Sequence, residues 1–551
     1  MNALLTQAGF ALCDTVPLLQ DLPRRWAGQG DFTVLEIGGA SQFEAIAQTW
    51  RDDPQRSQRL HGVSLHAGGG GLKGVHRQLQ SDPRITHTTA VGDVTALLPQ
   101  LRLGADAIWL DAALSGWDVR LLRHCARLCR PGAQLYTHDL TAQPRWHAAP
   151  LAAPWPETQK HALVIGAGIA GASVADRLAA RGWQVTVLDA ADAPARGASG
   201  LWLGALHPHF SQDDCLLSRA SRAAMVLAVQ RFNQLRAQSP HSGWNPCGVA
   251  HPATHAEEEA GLRQLCEQLQ LPETVVRFLE RDALSAQAGA ELPLGGYWHA
   301  QTGVVDVRQL VDLMLAQPAV RWQPRSRVHR IERTSGHWQA LDAQGQPLAQ
   351  APVMVLANAG DAPRLAPQLA SLLPVRGQMT ALAAAAVQAP QAAVVGHGYV
   401  LPAHLGRVSV GATYAPGSTD PAPTQADHET NLQSLAVLLP QHPAVGVGQV
   451  TDSFVGTRYA SNDHMPLVGP VPDVSDTRWL ATAAGKRLTD WPRLEGLYCA
   501  AGYGSRGLSW SVLAGEIIAS HLCGEPAPLE AALMDALDPA RFGQRAVRKG
   551  L

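Results

Sequence analysis

The sequence predicts two α/β units in tandem, the second carrying an α+β module as well, and three observations predict this. The run His161 to Asp189 reads as strand, glycine turn, helix and strand. An earlier run, Phe32-Thr-Val-Leu-Glu-Ile-Gly-Gly-Ala-Ser41, again reads as a strand followed by glycines. From Thr380 to Val450 the pattern changes to short strands and turns, as an antiparallel sheet requires. The chain has 551 residues, enough for two or more domains with large cores.

The organising stretch is 161–189. Ala162–Ile165 is a short apolar run, read as a buried parallel strand, and Ala172–Ala180 reads as a helix. Gln184–Leu188 is the next strand, ending on Asp189. Between the first strand and the helix, Gly166, Gly168 and Gly171 form G-x-G-x-x-G. The first allows a tight turn, the second lets a pyrophosphate approach the backbone, and the third lets helix and strand pack closely. Phosphates then face the free N–H groups of a helix N-terminus. Asp189 stands where a carboxylate grips ribose hydroxyls. The bland alternative is an ordinary βαβ turn, and the motif alone does not separate FAD from NAD.

Composition excludes little but is orderly. A net charge of −2 gives no overall basic field for nucleic acid or acidic membrane, which leaves a local basic patch open. The eight cysteines form no C-x-x-C pair and no zinc spacing, so no metal site is expected and a reducing compartment fits. Cys125 and Cys129, four apart, read as helix core. The N-terminus shows no basic-then-apolar signal segment and no apolar run approaches membrane-spanning length, so a soluble, cytoplasmic protein without membrane contact is expected.

In chain order, a helix is predicted over Phe43–Trp50, strands over His61–Leu65 and Ala105–Asp111, and a helix over Leu121–Leu128. Pro131-Gly132 is then a turn into a strand from Ala133 to Thr137. The proline-rich stretch Thr141–Gln159 reads as a linker. Ser218–Ala237 is a long amphipathic helix, and 241–300 mixes short strands with a helix. A helix opens near Thr302 and leads to strands at Val320–Gln323 and Ser326–Glu332. Pro352–Gly360 is a buried strand ending in small residues. A helix over Asp427–Leu439, a strand over Gly496–Gly502 and a helix to about His521 complete the reading.

Three motifs stand out in the first part of the region 160–540: Val164-Ile-Gly-Ala-Gly-Ile-Ala-Gly171, Ala198-Ser-Gly200 with Leu206-His-Pro208, and Pro374-Val-Arg-Gly-Gln378. Further ones are Gly398-Tyr-Val-Leu-Pro402 with Gly411-Ala-Thr-Tyr414, Met465-Pro-Leu-Val-Gly469 and Gly504-Ser-Arg-Gly-Leu508. On these motifs, residues 160–540 resemble the glycine oxidase/D-amino-acid oxidase group of FAD oxidoreductases, and within it the oxidase half of the MnmC family of tRNA-modifying proteins. The first 150 residues are similar to an S-adenosylmethionine-dependent methyltransferase fold, in a shortened and degenerate form.

The resemblance implies a Rossmann-like methyltransferase-type domain at 1–145, a linker at 146–160 and an oxidoreductase at 161–551. FAD-binding parts would lie at about 161–240, 301–376 and 452–530, and antiparallel-sheet substrate parts at about 241–300 and 377–451. FAD would meet Gly166, Gly168, Gly171, Asp189, Ser199, Gly200, Val328, Gly360, Ser505, Arg506, Gly507 and Leu508. The substrate would be the carboxymethylaminomethyl group of a wobble uridine in tRNA, an N-substituted glycine, oxidised to the aminomethyl base with release of glyoxylate. Arg458 would clamp the carboxylate, because a planar fork pairs bidentately with it. Arg376, Gln378 and Tyr399 would line the reaction site, with Tyr459 beside them. Each has a structural alternative as a loop or packing residue.

For the methyltransferase half, Gly38, Asp93 and Asp111 fall at expected places, with S-adenosylmethionine as the implied cofactor. The sequence departs from that pattern: Glu36-Ile-Gly-Gly-Ala-Ser41 keeps only two glycines, and His66-Ala-Gly-Gly-Gly-Gly71 offers no acid for a ribose. After Ala198-Ser-Gly200, Leu201-Trp-Leu replaces polar residues. A monomer is expected. The alternatives are an oxidase of free glycine, sarcosine or D-amino acids, and a non-catalytic tRNA-binding protein.

Overall fold

A computed structural model describes residues 1–39, 41–68, 71–111, 117–145 and 154–549. Two compact units emerge: residues 1–158 with 519–534, and residues 159–518 with 535–551. The boundary differs from the sequence reading in one place. Residues 519–534, read with the oxidoreductase, cluster with the N-terminal unit, because Glu525 forms ion pairs with Arg59 and Arg77 at 3.1 and 3.5 Å.

The N-terminal unit is built on strands β1 (Phe10–Cys13), β2 (Asp31–Ile37), β3 (Arg59–His66), β4 (Gly74–Leu79), β5 (Ile85–Val91), β6 (Ala105–Leu110), β7 (Cys129–Tyr136) and β8 (Thr141–Pro144). They form one sheet in the order β1-β8-β7-β6-β2-β3-β5-β4. The inner five are parallel, and the order reverses between β2 and β6. Helices α1 (Phe43–Asp52) and α2 (Val119–Leu128) carry apolar stripes that cover the sheet. The crossover from β3 to β5 contains no helix among its described residues. It runs through the edge strand β4, which forms an antiparallel hairpin with β5.

Two expectations fail here. Pro131-Gly132 lies inside β7, where the pairing with β6 shifts register between Ala105 and Ala107, rather than in a turn before the strand. Thr141–Pro144, read as the start of a linker, pairs with β7 and β1. A polar edge segment can do this because ladder hydrogen bonds are backbone bonds, and Pro144 sits at the strand's end. Most of the remaining linker, 146–153, lies outside the described residues.

In the second unit the strands that frame the site are β9 (His161–Ile165), β10 (Gln184–Leu188), β11 (Val320–Gln323), β12 (Val353–Leu356), β13 (Leu373–Ala383), β14 (Arg407–Gly411), β15 (Val450–Ala460), β16 (Leu467–Pro472) and β17 (Arg493–Ala501). The principal helices are α3 (Ile169–Ala179), α4 (Leu216–Gln238), α5 (Val307–Leu315), α6 (Gln425–Leu438), α7 (Gly507–Leu522) and α8 (Arg541–Arg548). One six-stranded sheet runs β11-β10-β9-β12-β17-β16, parallel except at its β16 edge. A larger sheet, mostly antiparallel, is centred on β13, which pairs with β14 on one side and β15 on the other. Ser326–Glu332 does not return to the six-stranded sheet. Its Arg330–Thr334 part joins a separate three-stranded meander, and Val320–Gln323 takes the place beside β10.

Charged side chains pin the helices on the six-stranded sheet. Glu516 of α7 receives Arg177 Nε at 3.0 Å and Arg181 Nη2 at 2.7 Å, and Asp176 of α3 receives Arg231 Nε of α4 at 2.8 Å. The α3–β9 crossing is closer still. Gly166 has φ +109°, and a Cβ on Gly171 would run into the Gly166 carbonyl oxygen. Only glycine fits that crossing. Gly171→Ala is therefore expected to cost about 1–3 kcal/mol through overpacking, read as a lowered melting midpoint; an unchanged midpoint would show that the helix can back away freely.

Candidate active site

The site is assembled on the longest strand pair of the molecule. Arg458, Gly456 and Phe454 alternate onto one face of β15, and Gly377 of β13 lies opposite Gly456. Gly377 is there for room: a Cβ would collide with the Arg458 guanidinium crossing over it. Arg458 Nη2 donates to the Thr413 carbonyl at 2.9 Å and Nη1 to Ser505 Oγ at 3.3 Å. The Tyr414 ring lies 5.5 Å from its Cζ.

Arg506 follows Ser505 at the turn that opens α7, and its Nη2 reaches His209 Nδ1 at 3.4 Å. The Nε atoms of both arginines are buried without a hydrogen-bond partner. Among the described residues, no carboxylate lies within ion-pair reach of either arginine, whereas most other arginines in the second unit have one. Burial lowers the pKa of both below the usual guanidinium value, and the hydroxyl of Tyr414 opposes that shift at each. Burial pushes the Tyr399 phenol well above its ordinary value, with the Arg458 charge acting the other way. The neighbouring histidines stay neutral. Burial first, then His251, Arg506 and His299, brings His207 down to about 3, and burial brings His299 to about 4. The positive charge therefore comes from the two arginines, with no described carboxylate in ion-pair reach.

The glycine loop is open in the right place. At Gly168 a Cβ would meet only Ser199 Oγ, at 3.1 Å, and that hydroxyl accepts from Ile169 N at 3.0 Å, standing where an anion would sit on the α3 N-terminus. Asp189 accepts from Ala167 N at 2.6 Å and Ala191 N at 2.8 Å, one bond per oxygen, which leaves lone pairs for further donors. Gly200 packs against Phe454 and the Ala195 carbonyl. Asn358 Oδ1, beside Gly166, and Tyr503 Oη are buried without partners. Gly507 opens α7, and Leu508 packs on the backbone of Gly204. The Val328 carbonyl accepts from Arg364 Nη2 at 3.0 Å.

Other sequence candidates have different duties. Arg376 donates to the Asp420 carbonyl, Asp427, Gln378 and the Ala422 carbonyl, and Gln378 is bonded to both the N–H and the carbonyl of Thr424. The pair braces β13 against the 418–424 loop and α6 instead of lining the reaction site, because their side chains leave the face opposite the Arg458 side. Tyr459 likewise alternates away from Arg458, and its ring covers Gly360. Thr413, Tyr414 and His209 were not singled out from sequence. Tyr414 was within reach of that reading, as an aromatic closing the Gly411-Ala-Thr-Tyr414 run. In the N-terminal unit, Asp93 caps the helix Val94–Leu97 by accepting from Thr95 N at 2.9 Å. Gly38 and Asp111 meet at the ends of β2 and β6. No group of three or more His, Cys, Asp or Glu is placed to hold a metal among the described residues.

A family model described as FAD dependent oxidoreductase matches residues 161–521. The tRNA 5-methylaminomethyl-2-thiouridine biosynthesis bifunctional protein MnmC of Ralstonia nicotianae is 39% identical over 614 residues, covering 96% of this chain and 92% of that protein. The protein of the same name from Cupriavidus necator is 38% identical over 612 residues, with the same coverage of 96% and 92%. The 614 aligned positions outnumber the 551 residues of this chain, so the relative carries segments without a counterpart here. Among solved structures, glycine oxidase from Geobacillus kaustophilus has a TM-score of 0.55 at 23% identity, covering 69% of this chain and 98% of that one. L-proline dehydrogenase from P. horikoshii has a TM-score of 0.53 at 16% identity, covering 72% and 99%. These likenesses concern the fold.

Two outcomes follow from the geometry. Arg376→Met should destabilise the protein by about 3 kcal/mol, because it strands the Asp427 carboxylate; Arg458→Met should leave stability unchanged or raise it, because it removes a charge that has no partner. Equal melting shifts for the two would contradict this division of labour. His299 is 1% exposed. Its folded pKa lies below the ordinary 6.5, so as pH falls from 6.5 towards 4 the unfolded chain takes up a proton that the folded chain does not, and stability falls by up to about 1.4 kcal/mol per pH unit. His299→Phe should flatten that slope in denaturant titrations across the same range.

Proposed function

The chain belongs to the MnmC family of tRNA-modifying proteins and, through residues 161–521, to the FAD dependent oxidoreductases, and from that premise we propose that it oxidises the carboxymethylaminomethyl group of a wobble uridine in tRNA to aminomethyl, releasing glyoxylate. The observation that carries this reading is the pair of arginines without counter-ions, Arg458 and Arg506, at one end of the cofactor fold. An N-substituted glycine presents a carboxylate, and a carboxylate is what two such guanidiniums require.

The residues of the glycine loop fit FAD. Gly166 and Gly168 let a pyrophosphate approach the α3 N-terminus, Ser199 Oγ marks the anion position, and Asp189 keeps lone pairs for ribose hydroxyls. When bound, FAD supplies an acceptor for hydride from the methylene carbon between the substrate's amine and its carboxylate, and water splits the resulting imine. The chain's own residues contribute orientation. Arg458 and Arg506 hold the carboxylate, which fixes the direction of the methylene C–H bonds. Tyr399 stays a phenol, so it can only act as a neutral hydrogen-bond donor or acceptor beside that clamp. The guanidinium charges of Arg458 and Arg506 repel a protonated amine, which favours the unprotonated form that oxidation requires.

The family name supports tRNA as the substrate carrier. Among the described residues, no helix is long and apolar enough to cross a membrane. All eight cysteines are free thiols, which supports a cytoplasmic setting.

The experiment is anaerobic reduction of the FAD-loaded protein by two substrates in parallel: tRNA bearing the carboxymethylaminomethyl base, and free glycine or sarcosine. Flavin bleaching by the tRNA alone, with stoichiometric glyoxylate, is expected; bleaching by the small amines alone would replace this reading with an amino-acid oxidase. Arg458→Met should lower kcat/KM for the tRNA by about 10²-fold or more while FAD still binds.

A further inference from the structure

In a doubly wound α/β sheet, ligands bind outside the carboxyl ends of the strands at the point where strand order reverses. In the N-terminal unit that point is the crevice between β2 and β6, and the resemblance of these residues to a methyltransferase fold implies S-adenosylmethionine there. The residues present do not fit it.

Four contacts engage the ends of β2, β3 and β6 and the first turn of α1 with the chain's own atoms. Asp111, just past β6, lies on the glycine loop: a Cβ on Gly38 would be 2.5 Å from Asp111 Cβ, and a Cβ on Gly39 would be 2.6 Å from Asp111 Oδ2. His66, at the end of β3, takes the place where a ribose-binding acid would stand. Its Nδ1 lies 3.2 Å from the Gly38 carbonyl and 3.0 Å from the Gly39 carbonyl, and with that nitrogen as donor the ring is tied down over the loop. Glu36 carries the carboxylate nearest the loop and spends it internally, on Ser41 Oγ at 2.7 Å, Ser64 Oγ at 2.7 Å and Gln42 N at 2.8 Å. Gln42 is the N-cap of α1, so the anion position at that helix N-terminus already holds Glu36. Finally, Phe43 presses onto Gly62 of β3 and stacks on His87 at 4.2 Å, so the first turn of α1 sits down on the sheet.

From this we infer that the N-terminal unit does not bind S-adenosylmethionine, so the chain carries only the oxidative half of its family's bifunctional activity and releases the primary amine. The inference rests on the proposed oxidation for the identity of that amine, and on the crevice for the missing half. The amine is then consumed by a methyl transfer on another protein. A sulfonium donor loses its S–CH₃ bond, the amine nitrogen gains the methyl carbon, and the nitrogen loses one proton.

Two measurements on the full-length FAD-loaded protein test this. The first is equilibrium dialysis against S-adenosylmethionine labelled in its methyl group, with a working methyltransferase as positive control. No saturable binding up to about 1 mM is expected; saturable binding with a dissociation constant of about 1 mM or lower overturns the inference. The second supplies tRNA that already carries the aminomethyl base, together with S-adenosylmethionine, and reads the nucleoside mass. An unchanged mass is expected, and addition of one methyl group overturns the inference. Neither measurement depends on oxidation, so failure of the glyoxylate assay and failure of this inference are separately visible.

Discussion

Two guanidinium groups without counter-ions set the terms for the oxidoreductase unit. A buried cation that lacks an anion is costly, and the fold can hold one only where the surrounding backbone is rigid and supplies acceptors. β13 and β15 provide that rigidity: they pair from Leu373 opposite Ala460 to Leu382 opposite Val450. Gly377 gives the Arg458 side chain its channel, the Thr413 carbonyl and Ser505 take two of its donors, and the Tyr414 ring faces it. The unsatisfied Nε atoms are the remaining cost. On the proposed reading a substrate carboxylate supplies the missing anion, and groups held in place beforehand turn binding energy into orientation.

The same sheet device occurs twice in this chain and ends differently. In both units a strand runs into glycines and then a helix, with an acid near the loop. In the oxidoreductase unit, Gly168 faces little but a serine hydroxyl, and Asp189 sits at the end of the neighbouring strand with capacity to spare. In the N-terminal unit the equivalent space holds Asp111 and His66, and the acid, Glu36, is turned inward onto serines and the helix cap. Fold and cofactor site are thus separable. The first survives on its apolar layers, Leu35, Ile37, Ile108 and Leu110 on one face and Phe32, Val34, Ala107 and Tyr136 on the other, whatever happens at the crevice.

The elements visible in the sequence were those whose signal is local. The βαβ run at 161–189 and the strands near Leu35, Val63 and Ile108 are apolar runs bounded by glycine, and they lie where the residues predict them. What was not visible depended on side-chain direction or on distant partners. Arg376 and Gln378 stand in a motif that runs past the site, yet period-two alternation points them towards Asp427 and Thr424. Tyr459 fails for the same reason one residue from Arg458, because the register against β13 decides which of the two faces inward. The strand at Thr141–Pro144 is polar and carries no apolar period, so only its β7 neighbour reveals it. That Arg458 and Arg506 share Tyr414, forty-eight positions apart in the chain, could not be read from spacing at all.

The C-terminal segment is part of what holds the N-terminal unit together. Residues 519–534 complete the N-terminal unit. The Glu525 carboxylate is fully enclosed and paired with Arg59 and Arg77, themselves largely buried, and Glu530 accepts from the Val75 N–H at the edge strand β4. Gln100 Oε1 receives Ala532 N, and the Arg102 carbonyl receives Ala527 N. Removing residues 1–158 would leave Glu525 without either arginine. An uncompensated enclosed carboxylate costs about 3–5 kcal/mol, a large part of the net stability of a typical domain. The helix α7, which begins at the Arg506 turn, runs into the segment 519–534 that completes the first unit, so the end of the chain depends on that unit's fold.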